Sequence, residues 1–220
     1  MTVESSILAR GPWDASQVEA RWQTQHFEPS PERAQAADEA MRALRERGSP
    51  SHDGTAARLV SHSVEGDRLV VDLQPIRWGL RLVEDDASES FSAICLTRAA
   101  DGRWLAGRRA QWLASWPGRW ALGAGGAVDP FESPIDTLAR ELREEWSVEP
   151  VRVHGEALVM LPQRMALFIG QAWLAEGAEV VADHEHDEWA WWPADVDSWP
   201  READERWQAF ARLVDTEPGS

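Results

Sequence analysis

The segment spanning residues 126–148 constrains this chain more than any other part of the sequence. Ser133 followed by Pro134 predicts a helix start, because a serine hydroxyl accepts from free N–H groups and proline tolerates the first helical position. The pattern predicts a helix that continues to Trp146. Whatever the rest of the chain folds into must accommodate this helix and the Gly125–Gly126 pair before it, which allows close backbone approach.

Acidic residues occupy one edge of the predicted helix. At about 100° per residue, Glu141, Glu144 and Glu145 lie within one arc of roughly a quarter turn. The neighbouring arc is apolar and consists of Ile135, Leu138, Ala139, Leu142 and Trp146. Carboxylates this close repel one another by a few tenths of a kcal/mol per pair. A divalent cation reverses that repulsion, since Mg²⁺ selects hard oxygen ligands. The simpler alternative is a solvated acidic face.

The same stretch resembles the Nudix box, in which glycine, glutamate and an Arg-Glu pair followed by Glu-Glu recur at fixed spacings. The matching residues are Gly126, Glu132, Arg140, Glu141, Leu142, Glu144, Glu145 and Val148. The one departure is Ser147, where the family has glycine. Glycine suits a left-handed helix end, so serine there costs about 1 kcal/mol. The resemblance extends from near Glu89 to near Asp215.

The resemblance implies a divalent-metal site with a defined scaffold. The implied metal ligands are Glu141, Glu144, Glu145 and the carbonyl of Gly125. The implied structural residues are Gly126, Glu132 and Arg140, the last two as an ion pair. The implied cofactor is Mg²⁺, with Mn²⁺ as the alternative, because carboxylate oxygens suit both ions.

The general base has several candidates. Members of the family use either a box glutamate, here Glu141 or Glu144, or an acid from a later loop. In this sequence the later candidates are Glu185 first and Asp183 next, and the alternative is a solvated acidic turn. Metal ligation by the two histidines of that turn, His184 and His186, is the weaker hypothesis because Mg²⁺ prefers oxygen.

The residues predicted to bind substrate flank the glycines. Arg108, Arg109 and Arg119 are candidates to grip phosphates. Trp112, Trp116 and Trp120 are candidates to stack a base, with core or lid packing as the alternative. The first 88 residues resemble the extension of Nudix hydrolases acting on UDP-sugars, and ADP-ribose-like compounds are the competing substrates. Ala124 replaces the usual proline before the glycines, which leaves the subfamily open.

The resemblance implies hydrolysis of a diphosphate in which a nucleoside diphosphate is joined to another group. Two alternatives stand beside it. One is a Nudix-shaped ligand sensor without turnover, although such proteins usually lose box glutamates. The other is a relative of isopentenyl-diphosphate isomerase, which requires a reactive cysteine. The single cysteine, Cys95, lies in the apolar run 91–96, which predicts a buried thiol.

Bulk composition excludes several classes of partner. The net charge of −16 argues against binding a nucleic-acid backbone, which needs clustered cations. No apolar run approaches the length of a membrane span, and residues 1–10 lack an export-signal pattern. One cysteine fits a reducing compartment, so we expect a cytoplasmic protein with a small-molecule partner. Dimers are frequent in the family, which makes a homodimer the expected assembly if there is one.

The chain is predicted to hold an N-terminal α+β extension (1–88), a Nudix domain (89–215) and a tail (216–220), with a linker at 84–90. Residues 1–30 show no clear pattern. The predicted helices are 30–47, 133–146 and 200–214, and a hairpin is predicted at 58–73. Further strands are predicted at 90–97, 103–108, 157–162, 165–175 and 188–192, and residues 120–122 lead into the glycines. The resemblance implies an α/β fold, the Nudix α/β/α sandwich with a mixed sheet.

Overall fold

The computed structural model describes residues 5–215, so the predicted tail 216–220 lies outside the described residues. The strands are β1 (Ser6–Trp13), β2 (Val18–Trp22), β3 (Thr55–Glu65), β4 (Arg68–Arg77), β5 (Phe91–Arg98), β6 (Trp104–Arg109), β7 (Trp120–Leu122), β8 (Ala124–Ala127), β9 (Arg152–Met160), β10 (Ala166–Trp173) and β11 (His186–Trp192). The helices are α1 (Pro31–Glu46), α2 (Pro134–Trp146) and α3 (Glu205–Asp215). Short 3₁₀ segments occur at Ala15–Gln17, Trp78–Leu82 and Val196–Ser198.

The larger sheet is mixed and carries a helix on each face. Its strand order is β1-β9-β10-β5-β6-β11, with β7 on β6 and β8 on β5. Strands β10 and β5 run parallel, with Ala166 opposite Phe91, while their other neighbours run antiparallel. Helix α2 buries Leu138 against one face, and α3 buries Phe210 against the other. The predicted α/β fold with a mixed sheet is confirmed.

The smaller sheet has the order β2-β4-β3 and is built from the extension. Its β3–β4 hairpin is the predicted one, extended at both ends. Helix α1 begins as predicted, because the Ser30 hydroxyl accepts the Arg33 N–H at 3.4 Å and Pro31 occupies the first turn. Its buried face packs on the Trp78–Leu82 segment, which contributes Leu80 to the same apolar cluster.

Residues 5–30 are more regular than their sequence indicates. Strand β1 joins the edge of the larger sheet, where Ser6 lies opposite Met160. Because β1 is an edge strand with three of its eight residues exposed, its sequence lacks a clean alternation. The extension therefore contributes strands to both sheets. The division of the chain into separate domains at residues 88 and 89 stays a prediction.

The segment 84–90 is packed rather than a free linker, so the linker prediction is wrong. Asp86 and Ser88 are buried, and Asp86 pairs with Arg164 at 2.8 Å and with Arg33. Arg58 adds a 2.8 Å ion pair to Glu89. The acidic composition suggested solvent exposure, but arginines distant in sequence neutralise these carboxylates.

The glycine-rich stretch before α2 forms strand β8, which the sequence does not predict because glycine disfavours strand interiors. Its register places Gly125 opposite Ile94 and Gly126 opposite Ala93. Helix α3 begins at Glu205, later than the predicted position 200. Within residues 5–215 no helix is both long enough and apolar enough to span a membrane.

Candidate functional site

Helix α2 has the predicted bounds, but its N-terminus is capped differently from the prediction. The Ser133 carbonyl accepts the Asp136 N–H at 3.0 Å, whereas the Ser133 hydroxyl has no partner among residues 5–215, so the predicted hydroxyl cap is wrong. At the other end Ser147 is left-handed, with φ 51° and ψ 36°. This is the conformation that the family's glycine would adopt freely, so Ser147 is strained as predicted.

The Arg140 guanidinium holds the loop before α2 against the helix. Its Nε and Nη2 atoms donate to the two oxygens of Glu132 at 2.9 and 3.0 Å, and Nη2 also donates to the Ala127 carbonyl at 3.1 Å. The predicted ion pair is thus present as a bidentate pair, the geometry that adds most to orientation. Thr137 donates to Glu132 at 2.7 Å, and the Arg140 and Thr137 bonds depress the Glu132 pKa although burial opposes them.

Arg140 also reaches the acidic edge of α2. Its Nη1 donates to Glu141 Oε1 at 2.7 Å and to Glu144 Oε2 at 3.0 Å. The Glu144 side chain is 58% exposed, whereas that of Glu141 is 12% exposed. One guanidinium nitrogen therefore offsets the repulsion between these two carboxylates, and Glu144 lies at the surface of the cluster.

Glu145 is the most deeply buried acid of the site. Its Oε1 accepts the Gly125 N–H at 2.9 Å, and its Oε2 has no hydrogen-bond partner in the described chain. Burial, and then the nearby Glu141 charge, raise the Glu145 pKa well above its usual range. Burial also raises the Glu141 pKa to about 7, with Arg140 opposing the shift. Two adjacent carboxylates in a dry site form a pair that favours a cationic partner.

Glycine is required where β8 passes this pair. A Cβ added to Gly126 would collide with the Glu141 carboxylate. A Cβ added to Gly125 would meet the Ile94 side chain at 2.6 Å and the Ala93 carbonyl at 2.9 Å. The close approach of β8 to helix α2 explains Gly126, and its close approach to β5 explains Gly125.

The acidic residues of α2 provide part of a binding site for a divalent cation. Among residues 5–215, no group of three or more histidine, cysteine, aspartate or glutamate side chains is placed to hold a metal ion, and the glutamate triad stays a prediction. The Glu144 side chain is 58% exposed and lies at the edge of the cluster, where Arg140 bonds it. The Glu141–Glu145 pair does fit, since the unpartnered Glu145 Oε2 is a buried hard oxygen of the kind that Mg²⁺ binds.

The loop that follows β10 is bonded to the end of α2. The Asp183 N–H donates to the Glu145 carbonyl at 2.8 Å, and the Asp183 Oδ1 accepts the Glu185 N–H at 2.9 Å. His186 packs on the Trp146 ring at 4.4 Å, with its Nε2 3.6 Å from Glu145 Oε2. Burial lowers the His186 pKa to about 4, so the ring is neutral at physiological pH and adds no positive charge beside Glu145.

Glu185 lies on this loop, facing the end of β6. Its Oε2 is 3.9 Å from Arg109 Nη2, and burial raises its pKa despite that guanidinium. Asp183 instead bonds the loop backbone. The structure therefore brings Glu185 and Arg109 together near the acid pair and gives Asp183 an organising role.

Three of the predicted substrate-binding residues lie elsewhere. Because successive residues of a strand face opposite ways, Arg108 points away from Arg109 and pairs with Glu188 at 3.3 Å. A separate groove is lined by Arg108, Arg119 and Trp120. It lies toward α3, so the structure does not bring these three residues to the carboxylates. Trp112 stacks on His184 at 5.3 Å.

A cavity of about 560 Å³ opens beside Gly125 and Gly126, which is within the usual size range of small-molecule sites. Its polar and aromatic lining includes Arg81, Arg109, Trp116 and Arg206. Arg81 comes from the N-terminal extension and was missed by sequence reasoning, because nothing in its neighbourhood distinguishes it from a surface arginine. Arg206 packs on the Trp116 ring at 4.6 Å.

Cys95 does not reach this cavity. It is fully buried in β5, as predicted, and burial raises its pKa to about 12. A reactive thiol needs partial exposure and a lowered pKa. The structure therefore removes the isomerase-like alternative.

Comparison with protein families gives a direct assignment. The NUDIX domain model matches residues 89–213, more than half of the chain. This chain belongs to the Nudix family. None of the curated proteins compared with it matches.

Several solved structures share the fold over a similar region. The MutT protein from Methanosarcina mazei Go1 is 24% identical, with 60% of this chain and 96% of that chain covered at a TM-score of 0.45. The Nudix hydrolase RenU from M. smegmatis is 23% identical, with 59% and 88% covered at a TM-score of 0.44. A C. elegans Ap4A hydrolase is 18% identical, with 55% and 92% covered at a TM-score of 0.44.

Proposed function

We propose that this protein is a metal-dependent hydrolase that cleaves the diphosphate link of a nucleoside diphosphate joined to another group. The observation that carries the proposal is the buried Glu141–Glu145 pair beside a glycine strand that borders an arginine-lined cavity. Buried acids with raised pKa values in or beside a cavity are typical of functional sites rather than of stabilising ion pairs.

The cation would be held by Glu141 and Glu145, with Glu144 and the Gly125 carbonyl as the further ligands that family membership implies. Mg²⁺, or alternatively Mn²⁺, would neutralise the diphosphate and lower the pKa of the attacking water. Arg140 holds Glu141 in place and fixes the preceding loop through Glu132.

Other side chains would act on substrate and water. Arg109 lines the cavity and would bind a phosphoryl group. Glu185 is our candidate for the general base, because burial raises its pKa toward the range in which a carboxylate accepts a proton efficiently. Glu141 and Glu144 were the other candidates; their contacts with Arg140 favour metal binding and orientation instead.

For the substrate class we propose nucleoside-diphosphate sugars or ADP-ribose-like compounds. The cavity combines basic side chains for the diphosphate with the Trp116 ring for a base or sugar face. The strongly acidic surface, with a net charge of −16, favours small-molecule substrates over nucleic acid. The single buried cysteine is compatible with our expectation of a cytoplasmic location.

The test is a product screen by chromatography with Mg²⁺ or Mn²⁺. The panel contains nucleoside-diphosphate sugars, ADP-ribose, dinucleotides, coenzyme A and nucleoside triphosphates. The proposal predicts a nucleoside monophosphate from at least one diphosphate-linked compound, and none when EDTA is present. If no compound is cleaved while one still binds, the protein is a ligand sensor and the enzymatic proposal fails.

A further inference from the structure

Among the described residues of the extension, 5–88, Arg81 is the arginine that lines the cavity near the acid pair. It lies on the Trp78–Leu82 segment and lines the cavity together with Arg109, Gly125 and Gly126. The segment is firmly anchored. The Gly79 N–H donates to Asp53 at 2.9 Å, and Leu80 is fully buried.

The charge of Arg81 has no direct counterpart in the protein. Among residues 5–215 no carboxylate forms an ion pair with it, whereas Arg33, Arg58 and Arg77 of the same extension each pair with an acid. Its side chain packs instead beside the Trp78 ring, with 5.3 Å from the guanidinium carbon to the ring centroid. A half-buried arginine without an acid partner is costly unless a ligand supplies the anion.

The electrostatic surroundings place this arginine in the site. Burial lowers the Arg81 pKa to about 10, and the charges acting on it are those of Glu141, Arg109 and Glu185. The guanidinium stays charged at neutral pH, because even the lowered value lies well above 7. Glu141 is thus within electrostatic reach of Arg81, which remains available to a ligand in the cavity.

We propose that Arg81 is a phosphate-binding residue, through which the N-terminal extension completes the substrate site of the Nudix domain. The inference rests on the proposed function for the identity of the ligand, a nucleoside diphosphate. Arginine suits this role because its planar fork binds two phosphate oxygens at once. The extension is then part of the active site rather than a separate module.

The test measures binding of ADP, UDP and their nucleosides, adenosine and uridine, to the full chain by calorimetry in EDTA, where no metal-dependent turnover occurs. We expect Arg81→Ala to weaken binding of the preferred nucleoside diphosphate at least tenfold and to leave its nucleoside unchanged. Arg81→Lys retains the positive charge but lacks the guanidinium fork. Its affinity for the nucleoside diphosphate should lie between those of wild type and Arg81→Ala. Arg42→Ala, an exposed arginine on α1, is the matched control and should match wild type.

Steady-state kinetics separate this inference from the proposed function. If wild type hydrolyses a substrate and Arg81→Ala retains its kcat/KM, the Arg81 assignment is wrong while the enzyme stands. If wild type cleaves nothing but binds ADP or UDP through Arg81, the enzyme is wrong while the phosphate site stands. If Arg81→Ala lowers the melting temperature and weakens binding of nucleoside and nucleoside diphosphate equally, its role is structural and the inference is overturned. A wild type that binds neither ADP nor UDP would also overturn it.

Discussion

Glu145 accepts the Gly125 N–H at 2.9 Å through one carboxylate oxygen and keeps the other buried without a hydrogen-bond partner in the described chain. The first bond fixes the end of α2 against β8. The second oxygen is available to a ligand, and leaving such an atom unsatisfied costs folding free energy. A structural carboxylate would use both oxygens, so this half-satisfied one is the clearest local sign of metal binding.

Neutralising either acid should remove activity without unfolding the protein. We expect Glu141→Gln and Glu145→Gln each to lower kcat at least ~100-fold with Mg²⁺. The melting temperature of the metal-free variants should equal or exceed that of wild type, because burial already disfavours both charges. Glu149→Gln, an exposed acid just beyond α2, is the control. Near wild-type rates in both variants would refute the metal assignment.

The assignment of the general base is tested by Glu185→Gln. The variant should lose roughly 10²–10⁴-fold in kcat with little change in KM, since general base catalysis acts on the transition state. Asp187→Asn changes an exposed acid on the same segment and should retain wild-type kinetics. If Glu185→Gln retains its kcat, the assignment of Glu185 is wrong, and the base is a box glutamate or Asp183.

Ser147→Gly should stabilise the protein by about 1 kcal/mol, because it relieves the left-handed backbone without removing a site residue. For a chain of this length the melting temperature should rise by about 2–4 °C. Asp136→Gly, in the first turn of α2 and exposed, should instead lower it, since glycine is a poor helix former and an acid at the helix N-terminus is lost. A fall in melting temperature for Ser147→Gly would show that the serine side chain contributes more than its strain costs.

Glu156 provides a pH dependence outside the proposed metal site. Burial raises its pKa from the ordinary 4.5 to about 7, opposed by Arg10 and Arg152. Since the folded state binds the proton more tightly than the unfolded state, this residue destabilises the fold increasingly as pH rises from about 4.5 to 7. Glu156→Gln should therefore be more stable than wild type by about 2–3 kcal/mol at pH 8, relative to their difference at pH 4. Thermal melts across this range check it; a pH-independent difference would contradict the shift.

The sequence predicted the parts of the fold that depend on local chemistry. The bounds of α2, the left-handed Ser147 and the burial of Cys95 follow from capping rules, dihedral preferences and apolar runs, and the structure has all three. Fixed spacing also indicated the Arg140–Glu132 pair, which the structure contains.

The sequence did not predict features that depend on distant partners. Strand β8 exists because β5 pairs with glycines that alone disfavour a strand. The segment 84–90 is packed because Arg33, Arg58 and Arg164 arrive from other elements. Arg109 and Arg108 were predicted to act together, but the alternation of β6 separates them. Arg81 carries no local signal at all, and only the packing of the extension brings it to the cavity.

Anomalous diffraction from wild-type crystals soaked in Mn²⁺ tests the central claim most directly, because it locates the ion without relying on turnover. The account predicts a manganese peak bonded to carboxylate oxygens of both Glu141 and Glu145, and no peak there in Glu145→Gln crystals. The claim is contradicted if the wild-type map at saturating Mn²⁺ lacks that peak. In that case Glu141 would still pair with Arg140, and Glu145 with the Gly125 N–H.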